Sequence, residues 1–440
     1  MESLPSDIVQ EILSRVPAES VLECKLVCKK WVTLIHGSNF ANMHLSRQLK
    51  LYHDGNDGSD NLGSKVEEPC LFFACRIDDP DEFRTLLLHG GQVGDRVGAD
   101  EKYIYNQNLK RIHHPPMHQD PMCNHLVGSC NGLVCAFQRH HLVVDPIYIC
   151  NPLTREYAYL PELVVKKEDV KPYRVVEGEV DMLGNTSCGF GYLRSTSEYK
   201  VVRIHYLSFN EGTVEVYTLG SGCGWRAIGK VPYRLNTSSG GMGTYANDVI
   251  CWTSYNKIVA FDLAKEEFRL LSVPPRLENR GKEDRCGLVA LGRHLCLYVD
   301  DRSRVEIWSL MGSSDSKETW HMEFSIDYEA VVVDSRKEEF RPILLTKDGG
   351  LTFLYAESVL YCYDTKTNIL KMVSNEASAD NFEVVEAIAH VNTFASLQAI
   401  GENSKRFTVH PRGVRLDELD RVDLSEKIDT TRFSFKRSAS

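Results

Sequence analysis

The sequence predicts an α+β multidomain protein: a small helical unit at the N-terminus, followed by an all-β, propeller-like domain. Three observations predict it. Apolar residues recur at the helical period over roughly the first fifty residues and at period 2 from about residue 70 onward. A stretch with almost no large apolar groups separates the two regimes. Within the β part, a strand–turn–strand pattern returns about every 50 residues, which suits one four-stranded blade.

The helical unit spans 1–50. Pro5 suits the N1 position of a first helix, where its missing N–H costs nothing. Ile8, Val9, Ile12 and Leu13 then form one apolar stripe, and Val16-Pro17 ends the helix, because a residue before proline is pushed out of the α region. Ser20-Val21-Leu22-Glu23 reads as a capping box, with Ser20 as N-cap. Leu22, Leu26, Val27 and Cys28 continue that second apolar face, and Trp31, Leu34 and Ile35 extend it. Asn39-Phe40 opens one more short helix ending near Leu51.

Residues 51–69 are dominated by Gly, Asp, Asn and Ser and form a flexible linker. The β domain covers 70–412. Leu71 to Ile77, Lys200 to Tyr206 and Thr213 to Leu219 are β-rich runs between turn residues. Three segments share an apolar strand, then Asn or Asp, a polar turn and a second strand: Ile149 to Tyr157, Val259 to Phe268 and Tyr361 to Ile369. The turn-opening residues Asn151, Asp262 and Asp364 can each bond the backbone two residues on. Val214 to Leu219 and Val305 to Leu310 hold the same place in weaker copies. A turn and strand precede several copies, at Asn131 to Cys135, Asn247 to Trp252, Arg293 to Tyr298 and Asp348 to Phe353. A closed ring of six or seven blades would remove exposed sheet edges and keep so much β sequence soluble. Residues 413–440 form a C-terminal segment and tail.

Composition narrows the function. The 440 residues include 51 basic and 61 acidic side chains, a formal net charge of −10, which argues against a nucleic-acid binder. No run of about 18 apolar residues offers a membrane span, and Met1-Glu2-Ser3-Leu4-Pro5 does not open a secretory signal. The fourteen cysteines then suit a reducing compartment, cytoplasm and/or nucleus, as free thiols.

Leu4-Pro5-Ser6-Asp7-Ile8-Val9-Gln10-Glu11-Ile12-Leu13-Ser14-Arg15-Val16-Pro17, followed by Leu22-Glu23-Cys24-Lys25-Leu26-Val27-Cys28-Lys29-Lys30-Trp31, closely resembles the F-box. The one departure is Val16, where the family has leucine. Four further segments resemble the plant F-box-associated interaction domain, related to kelch-type repeats. They are Gly128 to Cys135, Cys150 to Arg155, Gly189-Phe190-Gly191-Tyr192 with Tyr199 to Val202, and Phe261-Asp262-Leu263 with Glu267-Phe268. Leu193-Arg194 stands where that family usually has Asp-Pro. The resemblance implies a non-catalytic substrate receptor of an SCF-type E3 ubiquitin ligase. Its F-box would dock on a Skp-family adaptor, which bridges to cullin and RING subunits, and its β domain would recruit a protein target for ubiquitination.

The residues give this reading physical support. About 45 residues of short helices cannot bury much against one another, yet they carry more apolar surface than one small core hides. A flexible linker would keep the β domain from covering the excess, so a partner groove is the expected remedy. The adaptor-binding candidates are Leu4, Pro5, Ile8, Ile12, Leu13, Leu22, Val27, Cys28 and Trp31. For Ile12, Leu26 and Trp31 a purely structural role is equally expected.

Other signals lead nowhere. Cys24 and Cys28 lack a second ligand pair. His113, His114, His118, Cys123, His125, Cys130, His140 and His141 match no ordinary zinc spacing. Cys135, Cys150, Cys251, Cys296 and Cys362 sit in apolar strands as packed thiols. No nucleophile, metalloprotease or P-loop motif is present, and nothing implies a cofactor. Two rival functions stand beside the ligase reading: an F-box–adaptor complex without a degradation role, and a ligand- or glycan-binding propeller.

Overall fold

The computed structural model describes residues 4–54, 70–77, 84–91, 110–112, 124–138, 147–162, 186–208, 211–236, 242–281, 284–312, 318–329, 339–346, 350–355, 359–372 and 382–406. The expected C-terminal segment 413–440 lies outside them, as does 55–69 of the expected linker.

Four helices open the chain: α1 (Ser6–Leu13), α2 (Ala18–Cys24), α3 (Lys29–Ile35) and α4 (Ser38–Asp54). The starts of α1 and α2 depart from expectation. Pro5 and Pro17 are themselves the N-caps, both in extended backbone with ψ of 144° and 142°. Ser20 therefore lies inside α2 rather than capping it. Proline's fixed φ sets the chain up to enter the helix, and both helices begin without a side-chain cap bond. Val9 N and Val21 N donate the first helical bonds, to Pro5 O at 3.1 Å and Pro17 O at 3.0 Å. The last helix is long rather than short and continues through 51–54.

The first sheet holds β1 (Cys70–Ile77), β2 (Arg84–Gly91) and β3 (Lys110–Ile112), and the second β4 (Asn124–Cys130), β5 (Leu133–Gln138), β6 (Tyr148–Asn151) and β7 (Glu156–Tyr159). The third holds β8 (Thr186–Leu193), β9 (Glu198–Ser208), β10 (Glu211–Thr218) and β11 (Trp225–Val231). The fourth holds β12 (Thr244–Ala246), β13 (Val249–Ser254), β14 (Lys257–Asp262) and β15 (Glu267–Leu271), followed by the one-turn helix α5 (Pro275–Glu278). The fifth holds β16 (Arg285–Leu291), β17 (His294–Asp300), β18 (Arg304–Met311) and β19 (Thr319–Asp327). The sixth holds β20 (Phe340–Leu345), β21 (Gly350–Tyr355), β22 (Val359–Asp364) and β23 (Ile369–Met372). All pairings within the sheets are antiparallel.

The ring closes through β24 (Phe382–His390), which pairs with β1 as the innermost strand of the first sheet, Phe72 opposite Ile388. The inner strands touch in a full circle: β4 with β8, β8 with β12, β12 with β16, β16 with β20, β20 with β24 and β24 with β4. A final short strand, β25 (Lys405–Arg406), adds to β7 and covers the edge of the second sheet.

The repeat seen in the sequence is the hairpin between the third and fourth strands. Asn151 Oδ1 accepts from Leu153 N at 2.8 Å, Asp262 Oδ1 from Ala264 N at 2.9 Å, and Asp364 Oδ1 from Lys366 N at 2.9 Å. Four residues after the opening side chain, Arg155, Glu266 and Asn368 hold φ of 63°, 55° and 55°. One turn is thus written three times in different letters. The Gly-Phe-Gly-Tyr run has a packing cause: a Cβ on Gly189 would sit 2.8 Å from the Trp252 ring of the next sheet.

Candidate functional site

The helical unit has a core of its own. Val9, Leu13, Ala18, Val21, Leu34, Ile35, Phe40 and Ala41 are buried together, with Leu153 and Phe394 of the propeller in the same cluster. The expectation that the β domain leaves the helices uncovered is therefore corrected. Phe394 follows the closing strand β24, and Leu153 sits on the β6–β7 turn. Chain connectivity through a linker does not prevent docking when apolar side chains on both parts match.

Polar contacts fix the junction. Asn392 Nδ2 donates to Glu19 Oε1 at 3.0 Å. His44, buried in α4, donates from Nε2 to Val16 O at 3.1 Å, and its ring lies 5.2 Å from that of Phe394. Lys25 lies over the Phe394 ring at 5.7 Å and contacts His36 Nε2 at 3.1 Å. Burial, with Arg406 and Arg155 nearby, lowers Lys25 to about 8.

The adaptor-docking candidates divide sharply. In α1 the single apolar stripe splits in two: Val9 and Leu13 point inward, while Ile8 and Ile12 are 44% and 49% exposed. Leu4 and Pro5 are exposed just ahead of them. The second apolar face does not run on as one helix, because Cys28 adopts an extended conformation, φ −165° and ψ 160°, and restarts the chain as α3. The break leaves Val27 and Cys28 exposed, together with Leu26 at 89%. Leu22 and Trp31 are half-buried against the helical core, and Leu13 is buried in it.

Leu26 is the residue that sequence reasoning undervalued. A helical reading through 20–35 gives it an ordinary place on the apolar face, whereas α2 ends at Cys24 and leaves Leu26 in the turn that leads to α3. Beside the exposed α1 face, Glu11 accepts from Arg15 at 2.7 Å and from Arg47 at 2.9 Å, bonds that hold its carboxyl below the usual range and tie α1 to α4.

The remaining candidates are structural where they are described. His125 Nδ1 pairs with Glu386 Oε1 at 2.8 Å, linking β4 to β24. Cys130 is buried. His113, His114, His118, Cys123, His140 and His141 lie outside the described residues. Among the described residues no group of three or more His, Cys, Asp or Glu side chains is placed to hold a metal ion. The strand cysteines Cys135, Cys150, Cys251, Cys296 and Cys362 are all buried. Trp225 and Trp320 each spend their indole N–H on a backbone carbonyl, of Pro161 and Ser272, both at 2.8 Å.

Comparison with known families gives this architecture a place. Residues 1–42 match the F-box domain, and residues 99–398 match the F-box associated beta propeller domain. The chain belongs to the F-box proteins with an F-box-associated β-propeller. An F-box/LRR-repeat protein of Arabidopsis thaliana is 27% identical over 376 residues, covering 83% of this chain and 75% of its own. An F-box protein of the same plant is 26% identical over 420 residues, covering 84% and 87%. A third Arabidopsis thaliana relative, F-box protein CPR1, is 23% identical over 377 residues, covering 79% and 78%. Among solved structures, an oligogalacturonate lyase is similar over 68% of this chain and 72% of its own at 8% identity, and its TM-score of 0.36 carries no argument about activity. In this F-box protein α1 to α3 and the start of α4 fall within the F-box match, and the strands from β3 to β24 within the propeller match.

Proposed function

We propose that this F-box protein is the substrate receptor of an SCF-type ubiquitin ligase, with no active site of its own. F-box proteins serve generally as non-catalytic substrate-recognition subunits, and family membership supports that role here. Leu4, Pro5, Ile8, Ile12, Val27 and Cys28, joined by Leu26, dock on a Skp-family adaptor that leads to cullin and RING subunits. Leu13, Leu22 and Trp31 hold the helices that present them. The propeller recruits a protein target.

The carrying observation is that Leu4, Ile8, Ile12, Leu26 and Val27 stay exposed on a unit that packs Val9, Leu13, Val21, Leu34 and Ile35 into its core. Folding gains nothing from an exposed leucine, whereas burial in a partner groove stabilises each such side chain by about 1.5–3 kcal/mol. The test is copurification of a Skp-family adaptor with the full chain and with Ile8→Asp and Leu26→Asp variants. The expected result is capture by the full chain and loss from both variants at unchanged thermal stability. Capture that ignores both substitutions would end the proposal.

A further inference from the structure

The crease between the helices and the propeller gathers positive charge that the described residues do not neutralise. Lys25, the C-cap of α2, is half-buried there, with Nζ 3.1 Å from His36 Nε2 and 5.7 Å from the centre of the Phe394 ring. Arg155, on the β6–β7 turn, and Arg406, in β25, both act on it electrostatically. Arg406 acts on His36 as well. The α2–α3 segment and two elements of the second sheet therefore bring their cations to one place.

The carboxylate beside them is already engaged. Glu156 is buried; its Oε1 accepts from Arg406 Nη2 at 2.9 Å, and its Oε2 accepts from Ser396 Oγ at 2.8 Å and Gln398 N at 3.3 Å. Among the described residues, neither Lys25 nor Arg155 pairs with a carboxylate. Three cations thus stand against one anion, in a chain whose formal net charge is −10.

Folding alone gives no reason for this arrangement. Gathering like charges where water is partly excluded costs free energy, and burial and both arginines oppose the charge on Lys25. An oxyanion would turn that cost into a gain. An ammonium meets phosphate as a compact point charge, and a guanidinium offers it a planar fork of donors. The excess of two positive charges matches a phosphate dianion better than a single carboxylate. Arg155 is exposed and the Arg406 side chain is 50% exposed, so the ligand has a way in. A phosphorylated protein segment is disfavoured, because Lys25 lies half-buried where the two parts of the chain meet.

We propose that Lys25, Arg155 and Arg406 form a binding site for the phosphate of a small free phosphorylated compound, which on binding ties the F-box to the propeller. The site goes beyond the reading of the chain as a substrate receptor and does not depend on it.

The test titrates the full chain with inorganic pyrophosphate by calorimetry, at an ionic strength held constant with sodium chloride. Acetate and a decapeptide bearing one phosphoserine are titrated beside it. The expected result is saturable binding of pyrophosphate, matched by neither of the others. Lys25→Met and Arg155→Asn should each weaken it about tenfold or more, as loss of a hydrogen bond between charged groups does. Lys25→Met removes a cation from among like charges, and asparagine suits the φ of 63° at Arg155. Neither variant should unfold more easily than the parent, so lost binding cannot be misfolding. Bound pyrophosphate should also slow hydrogen exchange in α2 and α3 while leaving β18 unchanged. Heat no greater than from acetate, affinity indifferent to both substitutions, or tighter binding of the phosphopeptide would overturn the proposal.

Discussion

Phe394 and Phe40 meet edge to face, with ring centroids 5.5 Å apart and planes at 63°. One belongs to the stretch that leaves the closing strand β24, the other to the first turn of α4. Through this pair the F-box is seated on the propeller at the point where the ring closes, so the geometry of the junction depends on closure of the ring.

Phe394→Ala should therefore act on two levels. Removing a buried phenylalanine costs about 3–5 kcal/mol, and here the loss falls on the junction. Hydrogen exchange should show faster opening of α1 to α4 while amides of β10 keep their protection. Equal loosening of both would mean that the F-box and propeller unfold as one unit.

Asn151 and Asp262 occupy the same turn in different sheets, yet they should respond very differently to a swap of their side chains. Asn151 is fully buried and donates from Nδ2 to Thr393 O at 3.0 Å and Ala395 O at 2.6 Å, besides opening its turn. Asn151→Asp would set a carboxylate against two carbonyls and should cost about 2 kcal/mol or more in denaturant unfolding. Asp262 uses only its acceptor oxygen, and Asp262→Asn should stay within about 0.5 kcal/mol. A similar loss at both sites would contradict this account of the turn.

Much of this fold was legible because its signals are local. The change from period 3.6 to 2 marked the end of the helices, and the recurring Asn or Asp marked the third hairpin of three sheets before any pairing was known. What escaped depends on partners distant in sequence. Phe394 lies in a segment with no periodicity, and nothing near it says that it meets Phe40. Leu26 fits an apolar helical face only if the helix runs on, and α2 ends at Cys24 before reaching it. Pro17 holds the cap position assigned to Ser20, three residues earlier, and α2 starts with no side-chain cap bond. The adaptor candidates were legible as a motif, whereas their division into exposed Ile8 and buried Leu13 needed the packing of α1 against the other helices.

The thiols offer a mapping experiment. Burial pushes Cys150, Cys251 and Cys296 up to about 12 and Cys362 to about 11. Such thiols are inert, since the thiolate is the reactive form. Among the described cysteines, Cys28 and Cys223 are exposed. Mild alkylation at pH 8 followed by peptide mass mapping should label these two first. Bound adaptor should protect Cys28 and leave Cys223 open, and equal labelling of Cys28 with and without adaptor would remove it from the docking surface.

His44 gives the junction a dependence on pH. It is fully buried, and burial lowers its affinity for a proton, with the bond to Val16 O offsetting part of the effect. Its Nδ1 has no hydrogen-bond partner, so a second proton would have nothing to bond. The unfolded chain protonates this histidine at about pH 6.5, the folded chain only at lower pH. In the window between, the unfolded state binds more protons, so stability falls as pH falls; above the window the contribution is fully present. His36 is shifted the same way by burial and by Lys25, so replacing His44 alone should remove part of the slope. His44→Gln preserves a donor for the Val16 carbonyl without a titrating ring. Denaturant unfolding of parent and variant from about pH 5 to 7 should show a shallower fall in the variant, and parallel curves would mean that His44 takes up its proton equally well in both states.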